Sequence, residues 1–333
     1  MNLEKLKKEL NKYPDYRSNQ AEKQLFSNLI TDWSQASSLP KKMRSELLKK
    51  IPLSVEAELF KSKDGTQKAL ISLVDDKKIE TVLMKHNHRN TVCVSTQVGC
   101  KLGCEFCMTG EMGFYRNLKY WEIIEQVLYF ARKLKKDNQT VNNIVFMGMG
   151  EPFLNYDNTW KAIEILNNQN GFNIGARNLS LSTAGLPEGI RKLAKENIQV
   201  NLAVSLHSAD NEKRSSIMPI NKKYPLEKLF SAIDYYIEKT NRQVMFEYLL
   251  LNEVNDSKND ARKLVNLLKK RLHFVNLIKY NQTGKFKPSF KKRVEIFKGI
   301  LDHEGINYGQ RYSFGEDIKG ACGQLKTENS DAN

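Results

Sequence analysis

The sequence contains no continuous apolar stretch of the roughly eighteen residues that a membrane-spanning helix requires. Its amino terminus, MNLEKLKKEL, alternates charge with leucine and lacks the apolar core of a secretory signal. No collagen-like or low-complexity tract interrupts the 333 residues, apart from a short polar tail after Leu325. Cysteine is scarce, and its odd count of five argues against a framework of paired disulfides. Together these absences leave a soluble, cytoplasmic globular protein as the expectation, with one large domain, a small one and a sizeable core. Acidic side chains are also in short supply, 38 against 53 lysines and arginines, so the net charge is +15. Such an excess steers polyanions toward the surface and makes nucleic acid a candidate partner, beside the plainer reading of a merely basic surface.

Residues 1 to about 52 read as helices. Leu3, Leu6 and Leu10 recur at helical spacing; SNQAEKQLFSNLI offers Ser18 as an N-cap with Ala21, Leu25, Phe26 and Leu29 on one face; Pro40 opens PKKMRSELLKKI. Short alternating strands follow: AELFKS, KALISLV after Asp64-Gly65, and KIETVLM after Asp75-Asp76. From about Asn90 the runs TVCVST, NIVFMGM, LSLSTA, VNLAVSLH, VMFEYLLL and FVNLIKYN alternate with helical stretches. Six strand–helix repeats predict parallel strands joined by right-handed crossovers, an α/β fold. Runs such as NIVFMGM suit strands covered on both faces. Six units rather than eight predict a partial (β/α)6 TIM-like barrel, preceded by a small helical module and a β-meander. The expected division is 1–88, 89–316 and 317–333. Chemistry in such folds collects at the carboxyl ends of strands, which here read CKLGCEFC, GMGEP, STAG, SLHS and KYN.

Three of the five cysteines, Cys100, Cys104 and Cys107, lie in CKLGCEFCMTG with the spacing C-x-x-x-C-x-x-C. A loop that turns back on itself at Gly103 lets three thiolates converge on one iron–sulfur cluster. Cubanes usually take four cysteines, so three leave one iron open to a chelating substrate. Structural zinc is the rival, but it prefers paired C-x-x-C units summing to four ligands, and no second pair exists.

This spacing, with Phe106 before the last cysteine, resembles the signature of the radical S-adenosylmethionine (SAM) superfamily. More narrowly, VCVSTQVGCKLGCEFCMTGEMGFYRNL, FMGMGEPFLN, VSLHSADNEKRSSIMPINKKYPL and GEDIKGACGQL resemble the RlmN/Cfr family of RNA adenosine methyltransferases, from about Tyr16 to Leu325. The resemblance implies a radical SAM barrel with one [4Fe-4S] cluster on Cys100, Cys104 and Cys107. It implies SAM bound by Gly150 and Glu151 of GMGEP, by Ser182, by Ser205, Leu206 and His207 of VSLH, and by Asn281 of KYNQ. Carbon 2 of adenine is too electron-poor to attack a methyl sulfonium, so the family divides the task. A first SAM methylates a cysteine; a second, giving two per turnover, yields the radical that takes a hydrogen from that S-methyl group; the methylene then adds to the ring. By the same resemblance Cys322 carries the methyl, Cys93 resolves the adduct through a transient disulfide, and Glu80 accepts a proton.

Each of these residues also has an ordinary reading. Cys93 sits in an apolar strand, where cysteine is most often a packed small hydrophobe. Glu80 alternates with Ile79 and Thr81 as a lysine-paired strand carboxylate would, His207 suits a satisfied barrel-rim position, and KYNQ can simply end a strand. Cys322, between Gly320 and Gly323, is poorly placed for a core and well placed for a thiol that swings.

The family implies 23S rRNA, at the peptidyl-transferase centre, and the adenosine 3′ to the anticodon of tRNA as substrates. The implied reductant is flavodoxin or ferredoxin, and a monomer is the default. Segment 1–88 is then an accessory RNA-binding module. Lys5, Lys7, Lys8, Lys41, Lys42, Arg44, Lys49 and Lys50, with Lys285, Lys287, Lys291, Lys292 and Arg293, are its and the barrel's candidate phosphate contacts, some of them plain solvated helix faces. GMGEPFLNYDN and FEYLLL favour the carbon-2, RlmN-like branch; YSFGEDI and NLIKYN lean to the Cfr-like branch, which methylates carbon 8 and confers antibiotic resistance. Lys319 and Gly320 depart from the usual acidic DIDAACGQL. A non-catalytic RNA-binding relative is disfavoured by the intact cysteines, and a small-molecule or peptide radical enzyme by ACGQL and the basic amino-terminal module.

Overall fold

The computed structural model describes residues 1–327; the polar tail beyond Thr327 lies outside the described residues. Helix α1 (Leu3–Leu10) starts where the Asn2 side-chain Oδ1 accepts the Lys5 amide at 2.9 Å, and it buries Leu3, Leu6 and Leu10. Helix α2 (Asp15–Glu22) starts ahead of Ser18: Pro14 stands at the N-cap, and Ser18 falls inside the helix. Asp15 opens the first turn, where a carboxylate favours the helix dipole. Helix α3 (Lys41–Lys50) follows Pro40 as expected. Trp33, fully buried, ties this module together by donating its indole N–H to the Ile51 carbonyl at 2.8 Å.

Strands β1 (Ala57–Lys61), β2 (Gln67–Ser72) and β3 (Lys78–His86) form the antiparallel meander. β3 pairs with β4 (Arg89–Cys93), opposing Val82 to Cys93, so one sheet runs across the 88/89 boundary. A short ribbon of β5 (Gln97–Gly99) and β6 (Phe114–Asn117) brackets the cysteine loop and the single turn α4 (Met108–Glu111). Helix–strand units then alternate: α5 (Tyr120–Lys136), β7 (Asn143–Phe146), α6 (Tyr156–Asn167), β8 (Leu179–Thr183), α7 (Pro187–Leu193), β9 (Asn201–Ser205). They continue through α8 (Asn211–Ile217), α9 (Leu226–Thr240), β10 (Val244–Leu250), α10 (Lys258–Leu268), β11 (His273–Lys279), α11 (Lys291–His303) and β12 (Tyr308–Arg311).

The strand order is β1-β2-β3-β4-β7-β8-β9-β10-β11-β12, parallel from β4 onward. The six expected parallel strands are present, and β12 adds a seventh. Residues of β3 and of β12 line the same cavity, so the sheet wraps around a lumen as an open barrel. Strand β8 illustrates how sequence makes this surface: Leu179, Leu181 and Thr183 are buried, while Ser180 and Ser182 alternate toward the lumen.

Among the described residues no ladder joins β12 back to β1. The gap is crossed by the chain itself, a strap over 315–327 held by polar contacts. The Gly315 amide donates to Asp64 Oδ2 at 2.9 Å, and the Asp317 carboxylate accepts from Ser62 Oγ at 2.5 Å and the Lys63 amide at 3.2 Å. Further along, the Lys326 amide donates to Glu80 Oε2 at 2.9 Å, and Thr109 Oγ1 donates to the Leu325 carbonyl at 2.6 Å.

Burial alone would push the Asp64 carboxyl up, but the amides of Gly315 and Thr66 hold it down at about 2. A depressed folded-state pKa contributes stability that is complete above the unfolded value of about 4 and lost as pH falls toward 2. Hydrogen exchange, corrected for its intrinsic pH dependence, is expected to show strap amides losing protection across that window. Asp64→Ala should show the loss already at pH 6; full protection in that variant would refute the clasp.

Candidate active site

The cysteine loop depends on a glycine before it. Gly99 has φ +74°, and a Cβ there would run into the Gly113 carbonyl oxygen, the same oxygen that accepts the Cys100 amide at 2.7 Å. The loop then folds on itself through Cys107 N–H to Cys104 O (3.1 Å) and Gly110 N–H to Cys107 O (3.0 Å). Cys100, Cys104 and Cys107 thereby line one cavity of about 170 Å³. Burial raises all three thiols, Cys100 to about 12, and the charges of neighbouring thiols add to the shift at Cys100 and Cys104. As thiolates they need positive charge among them. Three thiolates on one cavity wall suit a cubane, in which each takes its own iron.

The other walls of this cavity hold most of the expected SAM contacts. Gly150 has φ +98°, and a Cβ would sit 2.5 Å from that of Gln97, whose Oε1 accepts the Glu151 amide at 2.8 Å. Glu151 accepts the amides of Phe153 (3.0 Å) and Ala184 (2.7 Å), yet its burial lifts the carboxyl to about 7. Ser182, Ser205 and His207 line the same space. His207 is held with φ +54°; its Nδ1 accepts the Leu249 amide at 3.1 Å, and its ring meets Phe106 edge-on at 4.8 Å. Burial, then Arg214, drops its pKa to about 3, so the ring is neutral. Leu206 differs from these: its side chain is fully buried in the core, and it contributes its backbone, whose carbonyl accepts Arg214 Nε at 3.1 Å.

Three residues here escaped the sequence reading. Arg214, fully buried, also donates to the carbonyls of Ala184 (2.7 Å) and Ser205 (3.0 Å), bracing two strand ends at once. Glu247 accepts from Asn276 Nδ2 at 2.9 Å, while its Oε2 is buried with no partner among the described residues. Arg311 lies 3.4 Å from Glu247 Oε1. A lone carboxylate in VMFEYLLL was the available signal for Glu247, because a buried charge needs a partner. Arg311 had none, lying in the short polar strand YGQR.

A second cavity, of about 830 Å³, occupies the lumen and shares a wall with the first. Cys107, Arg311 and Cys322 belong to both linings. Cys93 faces the large cavity only, and Cys322 is the neighbouring charge that adds to its burial in raising its thiol to about 12. Cys322 is exposed, as a thiol on a cavity wall must be, and the protein around it still raises its pKa. Its segment is fixed on both sides: Asn281 Nδ2 donates to the Cys322 carbonyl at 3.2 Å, and the Met108 amide donates to the Gly323 carbonyl at 2.8 Å. Asn281 lines the large cavity rather than the small one, with its Oδ1 without a partner among the described residues.

Glu80 lines neither cavity. It lies on the β3 face that carries Val82 and Met84, which do line the lumen, but Lys68 (2.6 Å) and the Lys326 amide cover its carboxylate. Burial raises its pKa against both. Among the basic residues expected to meet phosphate, Lys50, Lys285 and Arg293 are engaged in ion pairs with Glu9, Glu105 and Asp256.

Gly99→Ala is expected to leave less than about a tenth of the iron after anaerobic reconstitution, because side chain and carbonyl cannot share that space. Gly299→Ala, in open space on α11, should bind iron normally. Equal iron in the two variants would contradict the role given to Gly99.

The radical SAM superfamily model matches residues 94–265. Probable dual-specificity RNA methyltransferases RlmN are similar over nearly the whole chain. That of Dictyoglomus turgidum is 44% identical over 316 residues, 94% of this chain and 91% of the relative. That of Syntrophomonas wolfei is 44% identical over 328 residues, 95% and 92% respectively. The crystal structure of a radical SAM methyltransferase from Sphaerobacter thermophilus superposes with a TM-score of 0.94 at 42% identity, covering 98% of each chain. With three thiols converging at the carboxyl rim of a parallel barrel, and relatives this similar, the chain belongs to the radical SAM superfamily and, within it, to the RlmN family of RNA methyltransferases.

Proposed function

We propose that the protein methylates carbon 2 of an adenosine in 23S rRNA, at the peptidyl-transferase centre, and of the adenosine 3′ to the anticodon in tRNA. The observation that carries this reading is the position of Cys322, on the wall between the cavity of the cluster cysteines and a larger one that also contains Cys93. A thiol so placed can receive a group on one side and deliver it on the other.

Cys100, Cys104 and Cys107 would hold a [4Fe-4S] cluster, and the partnerless Glu247 Oε2 and the Glu151 carboxylate beside them suit the cationic end of SAM. When bound, the cluster supplies the electron that splits SAM into methionine and a 5′-deoxyadenosyl radical. Cys322, as thiolate, first takes a methyl group from one SAM; burial opposes that charged form most, Arg311 favours it, and Glu247 and Cys107 oppose it. A second SAM serves the hydrogen abstraction, so two are used per turnover. The Cys322 S-methylene radical adds to the ring carbon of the adenine held in the large cavity. The adduct gives up that carbon's proton and one electron, which the oxidised cluster would take back. The Cys93 thiolate then attacks the Cys322 sulfur, so that the S–C bond pair passes to the methylene carbon, which gains a proton as the methylated base leaves and a disulfide forms. Glu80 is the proton acceptor in this scheme; its raised pKa suits a base, and the Lys326 amide must withdraw for the carboxylate to face the lumen. Segment 1–88 serves as an RNA-binding accessory. The chain acts as a monomer in the cytoplasm, with flavodoxin or ferredoxin as reductant.

Mass spectrometry of nucleosides from treated 23S rRNA is expected to give 2-methyladenosine; 8-methyladenosine would overturn the assignment of the ring position. Cys322→Ala should give no product, a loss of at least about a thousandfold for a residue bonded to the transferred group. Cys93→Ala should accumulate a covalent protein–RNA adduct on denaturing gels, because nothing remains to expel Cys322. Turnover in Cys322→Ala would end the carrier scheme.

A further inference from the structure

Three aromatic rings stand in contact at the large cavity and take no part in the chemistry above. Phe314 meets His86 at 4.6 Å between centroids and Tyr312 at 5.6 Å, and all three line the lumen. They come from opposite ends of the sheet. His86 ends β3, where it pairs across the hairpin with Arg89, whereas Tyr312 and Phe314 follow β12 at the start of the strap. Tyr312 is 82% exposed, more than any other large hydrophobic ring exposed among the described residues. The protein gains little from burying it, so its position at a cavity edge is not explained by packing.

The chemistry around these rings identifies what they face. Among the described residues lining this cavity there is no carboxylate, while Arg89, Arg177 and Arg311 contribute positive charge. Asn143, Asn178 and Asn201 add amide donors and acceptors near the amino ends of β7, β8 and β9. Burial, then Arg89, lowers the His86 pKa, which disfavours the charged form of the ring that faces the cavity. Stacking aromatics amid cations without acids suit unpaired nucleotides, whose bases offer flat faces and whose phosphates carry the charge. The cavity is also larger than one base needs: about 830 Å³ lies at the upper end of the range for whole drug-sized ligands.

We infer that Tyr312, supported by Phe314 and His86, is a stacking platform for a nucleotide adjoining the target adenosine, with Arg89 and Arg177 taking the flanking phosphates. Arg311, next to Tyr312, reaches both cavities, so the platform begins one residue from the wall that bears Cys322. The platform keeps the strand extended while the target base goes deeper. An adenosine drawn from a folded RNA loses its stacking neighbours, and an aromatic ring restores part of that loss for the nucleotide left behind.

The inference rests on RNA being the substrate, and the test separates the two. Reconstituted enzyme is titrated into a labelled single-stranded RNA with one central adenosine and 2-aminopurine as its neighbour, reading anisotropy for affinity and 2-aminopurine fluorescence for stacking. Native protein should bind and quench. Tyr312→Ala should bind about 5- to 100-fold more weakly, the span of one base–aromatic stack, and lose the quenching. Tyr312→Phe should retain both within about twofold, and melting temperatures should agree among the three. Native-like binding and quenching by Tyr312→Ala, or equal losses in the alanine and phenylalanine variants, would overturn the platform while leaving RNA as substrate. Absence of binding by the native enzyme would overturn both.

Discussion

A buried carboxylate ties two distant parts of this chain together. Glu80, on the meander, meets the Lys68 ammonium on the neighbouring strand and the Lys326 amide from the carboxyl-terminal strap. Taking such charges out of water is costly, and the pair need not stabilise the fold more than well-packed apolar groups would. Removing one partner, however, strands the other at a cost of about 3–5 kcal/mol. The contact thus fixes where the strap lies more than how firmly the barrel folds. Since Cys322 is on that strap, the contact ties the segment of the thiol to a strand more than two hundred residues earlier.

The two cavities divide the work by their charge. The small one contains Glu151 and Glu247, carboxylates suited to a cationic cosubstrate. The large one has three arginines and no acid among its described lining, which suits a polyanion. Arg311 reaches both and lies beside Glu247, so the positive lining of one chamber steadies a negative group in the other. In the proposed scheme such separation would keep the sulfonium and the phosphates from competing for the same charges, with Cys322 as the point of exchange.

Much of this was legible in the sequence because it is local. Three cysteines within one loop, the glycine of GMGEP and the alternation of strands with helices all reside in short windows, and the structure puts them at one rim. The lumen was half legible. Ser180 and Ser182 alternate with buried leucines in LSLST, a period-two signal of one face turned to a polar interior, although apolar runs such as NIVFMGM pointed to strands covered on both sides. What local patterns could not carry were the contacts between remote segments. Asp64 with Gly315 and Glu80 with Lys326 span some 250 residues and leave no periodic trace. Strand β12 is four mostly polar residues, and α11 buries only Phe297 and Leu301, so neither rises above the pattern of an exposed loop. Leu206 was named for its place in a motif, yet its side chain is packed in the core and its carbonyl meets Arg214.

Gly99 bears on how members of such a family are to be told apart. Cysteines are the conspicuous mark of these proteins, yet the turn that delivers Cys100 to the loop is granted by an atom Gly99 does not have. A chain could retain every thiol and still be unable to assemble its centre, through one methyl group placed outside the motif. A census of cysteines would score such a chain as active, and only the small residue preceding them would reveal the lineage as silent.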